Sequence, residues 1–118
     1  MATDLLVDDL IAFHKATGCP LAEARHVLMD LQPKLRERIL IASRSEVSSE
    51  FGLADPIEID PVIGLLVRQA ELKAERLVGY EGLGRCHAVW EKQAQILLEE
   101  HGVEWYSPAK MNPLIDFD

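Results

Sequence analysis

The fold is decided by residues 60–102, which read DPVIGLLVRQAELKAERLVGYEGLGRCHAVWEKQAQILLEEHG. On both sides of the glycine-rich connection 79–84, apolar residues recur at three- and four-residue steps. Such spacing is typical of amphipathic α-helices, each with one apolar face. Because the connection is short, the stretch predicts two antiparallel helices packed together as a hairpin.

Local residues predict where these two helices begin and end. Asp60 before Pro61 is typical of a helix N-cap followed by a first-turn proline, where the missing N–H has no helical partner to lose. Gly79 and Gly102 are expected to end the two helices. The predicted buried faces comprise Ile63, Leu66, Val67, Ala70, Ala74, Leu77 and Val78 on the first helix, and Cys86, Val89, Trp90, Ala94, Leu97 and Leu98 on the second.

Residues 4–45 predict three further helices, separated by breaks at 17–20 and 32–33. Pro20 and Pro33 are each expected at the first position of a helix. The first two of these helices, with Glu23 near the start of the second, resemble the opening helical pair of ubiquitin-associated-like domains. That resemblance implies a helical packing unit of a kind that often binds protein, and it assigns no functional residue.

The remaining segments are predicted to be less regular. Residues 46–59 have no helical period and predict a loop, in which Phe51 and Leu53 are expected to fold back on the body. Residues 103–118 predict a tail with one helical turn that begins at Pro108. Residues 1–118 therefore predict a single all-α domain: a small bundle of about five helices, with a long C-terminal helical hairpin at 60–102 and a strapping, partly irregular tail.

The tail carries more apolar surface than a disordered segment would. Five residues are the predicted interface: Trp105, Tyr106, Met111, Ile115 and Phe117. They are expected either to pack across the chain's own helices or to dock into a second copy or a different protein. The sequence leaves these two interpretations open.

Composition narrows the expected partners. The 118 residues carry a formal net charge of −8, which repels nucleic acid and anionic membranes at long range. We therefore expect a protein partner or self-association, with no membrane contact. The N-terminal residues lack the basic start of a signal peptide, so a cytoplasmic location is predicted, and Cys19 and Cys86 are expected to be free thiols there.

One basic surface stands out in this acidic chain. The predicted third helix carries Lys34, Arg36, Arg38 and Arg44 against the single acidic residue Glu37. One interpretation is that these side chains pair with acidic groups elsewhere in the fold. The alternative is an anion-binding or nucleic-acid-binding surface, with Arg36 and Arg38 as candidate contacts.

A second candidate site lies where the second hairpin helix begins. Gly84 and Arg85 could hold a phosphate or carboxylate through backbone donors and one guanidinium. Cys86 beside His87 near a helix N-terminus could act as a nucleophile. A hairpin turn also explains the glycines, and the apolar stripe also explains Cys86 as an inert packed thiol.

No residue pattern predicts a metal or cofactor. Glu23 and His26 are spaced as in di-iron helical bundles, but no second such pair exists. The cysteines and histidines lack the close spacing of zinc sites. The favoured function is thus a non-enzymatic, acidic protein-binding or regulatory module without catalytic residues. The alternative is a small enzyme or ligand binder that uses the corner formed by Gly84, Arg85, Cys86 and His87.

Overall fold

Helices make up most of the chain in the structure, a computed structural model that describes residues 5–79, 82 and 84–117. The helices are α1 (Val7–Thr17), α2 (Leu21–Met29), α3 (Pro33–Ser45), α4 (Pro61–Val78), α5 (Arg85–His101) and α6 (Pro108–Met111). Between α3 and α4 lie two short antiparallel strands, β1 (Ser48–Ser49) and β2 (Gly52–Leu53), and a 3-10 turn, Pro56–Ile59. The all-α prediction is confirmed. The predicted helix start at residue 4 and parts of the predicted connection, residues 80, 81 and 83, lie outside the described residues.

Most helix ends follow the local signals. The Asp60 side chain accepts hydrogen bonds from the backbone N–H groups of Val62 and Ile63, which gives α4 its N-cap. Gly102 ends α5 in the left-handed conformation, with a φ of 65°. Pro20 differs from the prediction: its ψ of 135° is not helical, so it is the N-cap of α2 and the helix begins one residue later.

The helices α4 and α5 form the predicted antiparallel hairpin. At its connecting end, Arg85 Nε donates to the Gly79 carbonyl at 2.6 Å, and farther along, Gln93 Nε2 donates to the Val67 carbonyl at 3.0 Å. The residues buried between these helices and the tail, here called the hairpin cluster, are Val67, Ala70, Ala74, Val89, Trp90, Ile96, Leu97 and Trp105. Ala70 and Ala74 contribute only small side chains to this contact and are almost fully buried in it.

Two residues predicted to lie on this buried face are exposed instead. Leu77 and Leu98 each leave more than half of their surface accessible. The buried line of α4 runs through Ala74, and that of α5 runs through Leu97. Since consecutive residues of a helix point about 100° apart, Leu98 turns away from the contact that Leu97 makes. Leu77 lies three residues after Ala74 on the same side of α4, and nothing in the structure explains its exposure.

The N-terminal helices pack around a separate group of buried residues. This N-terminal cluster consists of Leu5, Phe13, Cys19, Ala24, Leu28, Ile39, Leu40, Ala42, Leu53, Tyr106 and Met111. Its last two members come from the tail, so the three-helix part of the fold is completed by residues at the other end of the chain.

The segment predicted as a loop, 46–59, contains the strands β1 and β2 and the 3-10 turn, so it is more regular than predicted. Asn112 Oδ1 accepts from the Leu53 N–H at 2.8 Å, and Asn112 Nδ2 donates to the Leu53 carbonyl at 2.9 Å. Gly52 has a φ of 104°, and a Cβ atom there would lie 2.5 Å from Asn112 Oδ1, so the close contact requires glycine. The strand pair is thus held by a residue of the tail, which a local periodicity cannot reveal.

Candidate functional site

The tail lies across the chain's own helices. Trp105 is buried in the hairpin cluster, whereas Tyr106 and Met111 are buried in the N-terminal cluster. Phe117 is half-buried, with its ring centroid 5.2 Å from that of Trp90. Among the predicted interface residues, only Ile115 is exposed. The structure therefore shows the strapping arrangement, and the buried tail residues are not available to a partner in this state.

A buried carboxylate anchors the tail to α3. Asp55 is 0% exposed and accepts three hydrogen bonds, from Arg38 Nη1 at 2.6 Å, the Tyr106 N–H at 2.9 Å and the Ile57 N–H at 3.2 Å. Arg38 also donates to the Glu104 carbonyl at 2.7 Å and lies 5.0 Å from the centre of the Tyr106 ring. The Arg38 guanidinium is thus used to hold the tail.

The other basic side chains of α3 also have partners inside the fold. Arg36 is buried and donates to the Leu28 carbonyl at 3.5 Å, while Lys34 pairs with Glu104 at 3.2 Å. Arg44 forms an ion pair with Asp9. Lys34, Arg38 and Arg44 thus pair with acidic groups, as the first interpretation expects, whereas Arg36 contacts a backbone carbonyl. An anion or a nucleic acid would have to compete with them, and such binding stays a prediction.

The corner at the start of α5 is occupied by contacts within the chain. Gly84 adopts the left-handed conformation just before the helix, and Arg85 is hydrogen-bonded to Gly79. His87 Nε2 donates to the carbonyl of Phe117, and Cys86 is half-buried against the hairpin cluster. These contacts join α4, α5 and the tail, and none of them resembles a nucleophile activated by a base. The ligand-binding alternative stays a prediction.

A surface that the sequence analysis did not identify lies on the outward side of α4. This outer face of α4, as it is called below, consists of four aliphatic residues with exposed fractions between 54% and 68%: Ile59, Val62, Leu65 and Leu72. Three of them recur in α4 at steps of three and seven residues, which places them on one side of the helix. The sequence analysis assigned α4 a single apolar face, but the helix has two.

A cavity of about 280 Å³ lies where the strand pair, the 3-10 turn, α4, α5 and the tail meet. This acidic cavity is lined by the carboxylates Glu50, Asp55, Glu58 and Glu71, the aromatic residues Phe51, Trp90, Trp105 and Tyr106, and the amide of Gln93. Its walls come from segments that are far apart in the sequence. No local pattern in the sequence therefore groups these residues.

Two carboxyl groups of the acidic cavity have raised pKa values. Burial raises the pKa of Glu58 most, and the negative charges of Asp55 and Glu71 raise it further, whereas a hydrogen bond from Trp105 Nε1 at 2.8 Å lowers it. Burial also raises the pKa of Glu71, with added repulsion from its acidic neighbours. The ionised form of Glu58 is therefore held in surroundings that solvate it poorly, whereas Glu71 is only partly buried, at the exposed edge of the cavity.

Gln93, which also lines the cavity, carries an acceptor without a partner among the described residues. Its side chain is 1% exposed, and its Nε2 atom donates to the Val67 carbonyl. Because that carbonyl can only accept, the amide orientation is fixed and Oε1 is the remaining atom. Within residues 5–79, 82 and 84–117, Oε1 has no hydrogen-bond partner. A buried acceptor in this state loses its hydration without compensation.

Two kinds of feature are absent from the described part of the chain. No group of three or more His, Cys, Asp or Glu residues in it is placed to hold a metal ion. No helix in it combines the length and the apolar character needed to cross a membrane. Both described cysteines, Cys19 and Cys86, are free thiols.

Comparison with protein-family models, curated proteins and solved structures gives no match to this chain.

Proposed function

We propose that this chain is a helical protein-binding module, without catalytic activity, whose contact surface is the outer face of α4. The observation that carries the proposal is the exposure of Val62, Leu65 and Leu72 on one side of a helix whose opposite side is already buried against α5. Aliphatic residues grouped in this way are typical of a surface that another protein covers.

The chemistry of the face indicates the kind of partner. Aliphatic residues at steps of three and seven, as at positions 62, 65 and 72, lie on one side of a helix and suit the apolar side of a second amphipathic helix. The net charge of −8 favours a basic partner and disfavours close approach of two copies of this chain. The expected partner is therefore a basic amphipathic helix of another protein. We expect the two proteins to meet in the cytoplasm, where free thiols such as Cys19 and Cys86 persist.

The test is a pair of charge substitutions with a matched control. The double variant Leu65→Asp and Leu72→Asp should keep its helical circular dichroism but lose the proteins that co-purify with the unmodified chain from a cell extract. Leu98→Asp is the control, because Leu98 is exposed to a similar degree on α5. In the complex, backbone hydrogen exchange should slow across residues 59–72.

Two results would count against the proposal. The double variant could capture the same proteins as the unmodified chain, or only the Leu98→Asp control could lose them. A wild-type dimer that becomes monomeric in the double variant would assign the face to self-association instead.

A further inference from the structure

The acidic cavity holds more acceptors than donors. Asp55 is paired with the Arg38 guanidinium, whereas Glu58 accepts a hydrogen bond from the neutral indole of Trp105. Glu71 and Gln93 line the same space, and the Oε1 atom of Gln93 is buried without a donor among the described residues. A ligand that complements this set must be positively charged and must bring several N–H or O–H donors.

The aromatic walls favour a cation that is flat and partly apolar. Phe51 and Trp90 meet edge to face, with centroids 5.5 Å apart, and both line the acidic cavity together with Trp105. The faces of aromatic rings carry partial negative charge and attract cations, most strongly where water is excluded.

We propose that the acidic cavity binds a guanidinium group, carried either by a free small molecule or by an arginine side chain of another protein. A guanidinium presents five N–H donors in fixed directions within a plane, and it stacks on aromatic rings. Its donors match Gln93 Oε1, Glu58 and Glu71. An alkylammonium concentrates its charge on one strongly hydrated atom and matches the spread acceptors less well.

This inference does not depend on the proposed function. The cavity is lined by Val67 and Glu71 of α4, whereas the outer face of α4 is formed by other residues of that helix. The double variant Leu65→Asp and Leu72→Asp should therefore still bind a guanidinium probe. A failure of either idea can be recognised without reference to the other.

The direct test is a titration with methylguanidinium chloride at constant ionic strength. The indole N–H resonance of Trp105 should shift in a saturable way, because this group donates to Glu58 at the edge of the site. Butylammonium chloride is the comparison cation, and sodium chloride is the blank. Methylguanidinium should bind more tightly than butylammonium, and sodium should cause no saturable shift.

Two variants connect the response to the acidic cavity. Gln93→Leu and Glu71→Gln should each weaken methylguanidinium binding about tenfold or more, as expected for loss of a charge-assisted hydrogen bond. Of the two substitutions, Glu71→Gln should disturb the packing of the protein less, because the Glu71 side chain is exposed at the cavity edge. Glu99→Gln, which removes an exposed charge of α5 outside the cavity, should bind like the unmodified chain.

The pH dependence gives an independent check. Binding should weaken as the pH falls through the raised pKa values of Glu58 and Glu71, since protonation removes the charges that attract the ligand. The charged groups that act on these two carboxyl groups are Glu50, Asp55, Glu75 and Arg68. A response that is unchanged by pH, or equal for both cations, or as strong in Gln93→Leu and Glu71→Gln as in the unmodified chain, would overturn the proposal.

The two sources of the guanidinium can be separated with arginine derivatives. Tighter binding of arginine within a short capped peptide than of free arginine would support a side chain of another protein. Tighter binding of free arginine would support a small-molecule ligand. Absence of binding by both, under conditions in which the protein is folded, would overturn the assignment.

Discussion

Asp55 is a single residue on which two distant parts of the chain depend. A carboxylate without solvent contact is costly unless donors replace its lost hydration. Asp55 has three such donors: one guanidinium of α3, one N–H in its own turn and one N–H in the tail. The same side chain therefore caps the 3-10 turn and fixes the position of Tyr106.

We expect Asp55→Ala to lower the free energy of unfolding by about 3–5 kcal/mol, because it leaves the largely buried guanidinium of Arg38 without its counter-ion. Urea titration followed by circular dichroism would measure this loss. Glu100→Ala is the control, since the ion pair between Lys73 and Glu100 is about half exposed on both sides. Comparable losses in the two variants would contradict this view of Asp55.

Glu71→Gln is expected to stabilise the protein slightly at neutral pH. Burial raises the pKa of Glu71 above its ordinary value of 4.5, so the folded state holds the proton more tightly than the unfolded state does. Ionised Glu71 therefore opposes folding at neutral pH, and this penalty disappears as the pH falls below the ordinary range.

Urea midpoints for the unmodified chain and Glu71→Gln should accordingly converge between neutral pH and about pH 4. If the stability advantage of Glu71→Gln over the unmodified chain grew as the pH fell, the pKa of Glu71 would not be raised in the folded state.

The roles of single residues were the least accessible to sequence analysis. Asp55 lay in a predicted loop, and Gln93 interrupted an apolar stripe, so neither was selected. Their importance comes from neighbours that only the folded chain supplies, Arg38 and Tyr106 for the first and Val67 for the second. The tail aromatics were recognised as needing cover, but the sequence did not show which surface would provide it.

At the scale of secondary structure, the helix ends were predictable because their signals are local. Asp60, Pro61 and Gly102 act on backbone groups within a turn of their own positions. The strand pair β1–β2 was not predictable, because it is held by Asn112 in the tail. The second apolar side of α4 was missed for a different reason: periodicity identifies apolar faces but does not say how many neighbours a helix has.

Gly64 shows how closely α4 approaches the turn that precedes it. Alanine is normally favoured over glycine inside a helix by about 1 kcal/mol. Here a Cβ atom would lie 2.7 Å from the backbone carbonyl oxygen of Glu58, which cannot move aside as a flexible side chain could. We therefore expect Gly64→Ala to destabilise the protein by about 1–3 kcal/mol.

Thermal or urea unfolding of Gly64→Ala would provide the measurement. Gln69→Ala, at an exposed position of the same helix, should stay within about 0.5 kcal/mol of the unmodified chain. A Gly64→Ala variant that is more stable than the unmodified chain would show that helix propensity outweighs the steric contact.

At the scale of the whole molecule, the tail couples the two groups of buried residues. Trp105 and Tyr106 are neighbours in sequence, yet the first belongs to the hairpin cluster and the second to the N-terminal cluster. Neither cluster can lose the tail without exposing aromatic surface. This arrangement predicts that the helices on both sides of the tail unfold together.

Met111→Ala tests that coupling. Met111 has no exposed surface in the N-terminal cluster, so its truncation should lower the free energy of unfolding by about 2–5 kcal/mol. Both tryptophans of the chain lie in the hairpin cluster, so their fluorescence reports on the other half of the fold. We expect the fluorescence midpoint and the circular-dichroism midpoint to shift together.

Leu114→Ala is the control for this experiment, because Leu114 is about half exposed in the same segment. A fluorescence midpoint that stays in place while the helical signal melts earlier would mean that the two clusters unfold separately.

The position of Tyr106 and Met111 has a consequence during translation. A growing polypeptide leaves the ribosome from its N-terminus, so α1, α2 and α3 emerge long before the two residues that complete their packing. These three helices should therefore remain open to proteases while the nascent chain is attached and become resistant only after the segment around Met111 has left the exit tunnel. Nascent chains stalled at increasing lengths and treated briefly with protease would reveal this delay. If α1, α2 and α3 resisted protease in stalled chains too short to expose Met111, these helices would fold without Tyr106 and Met111.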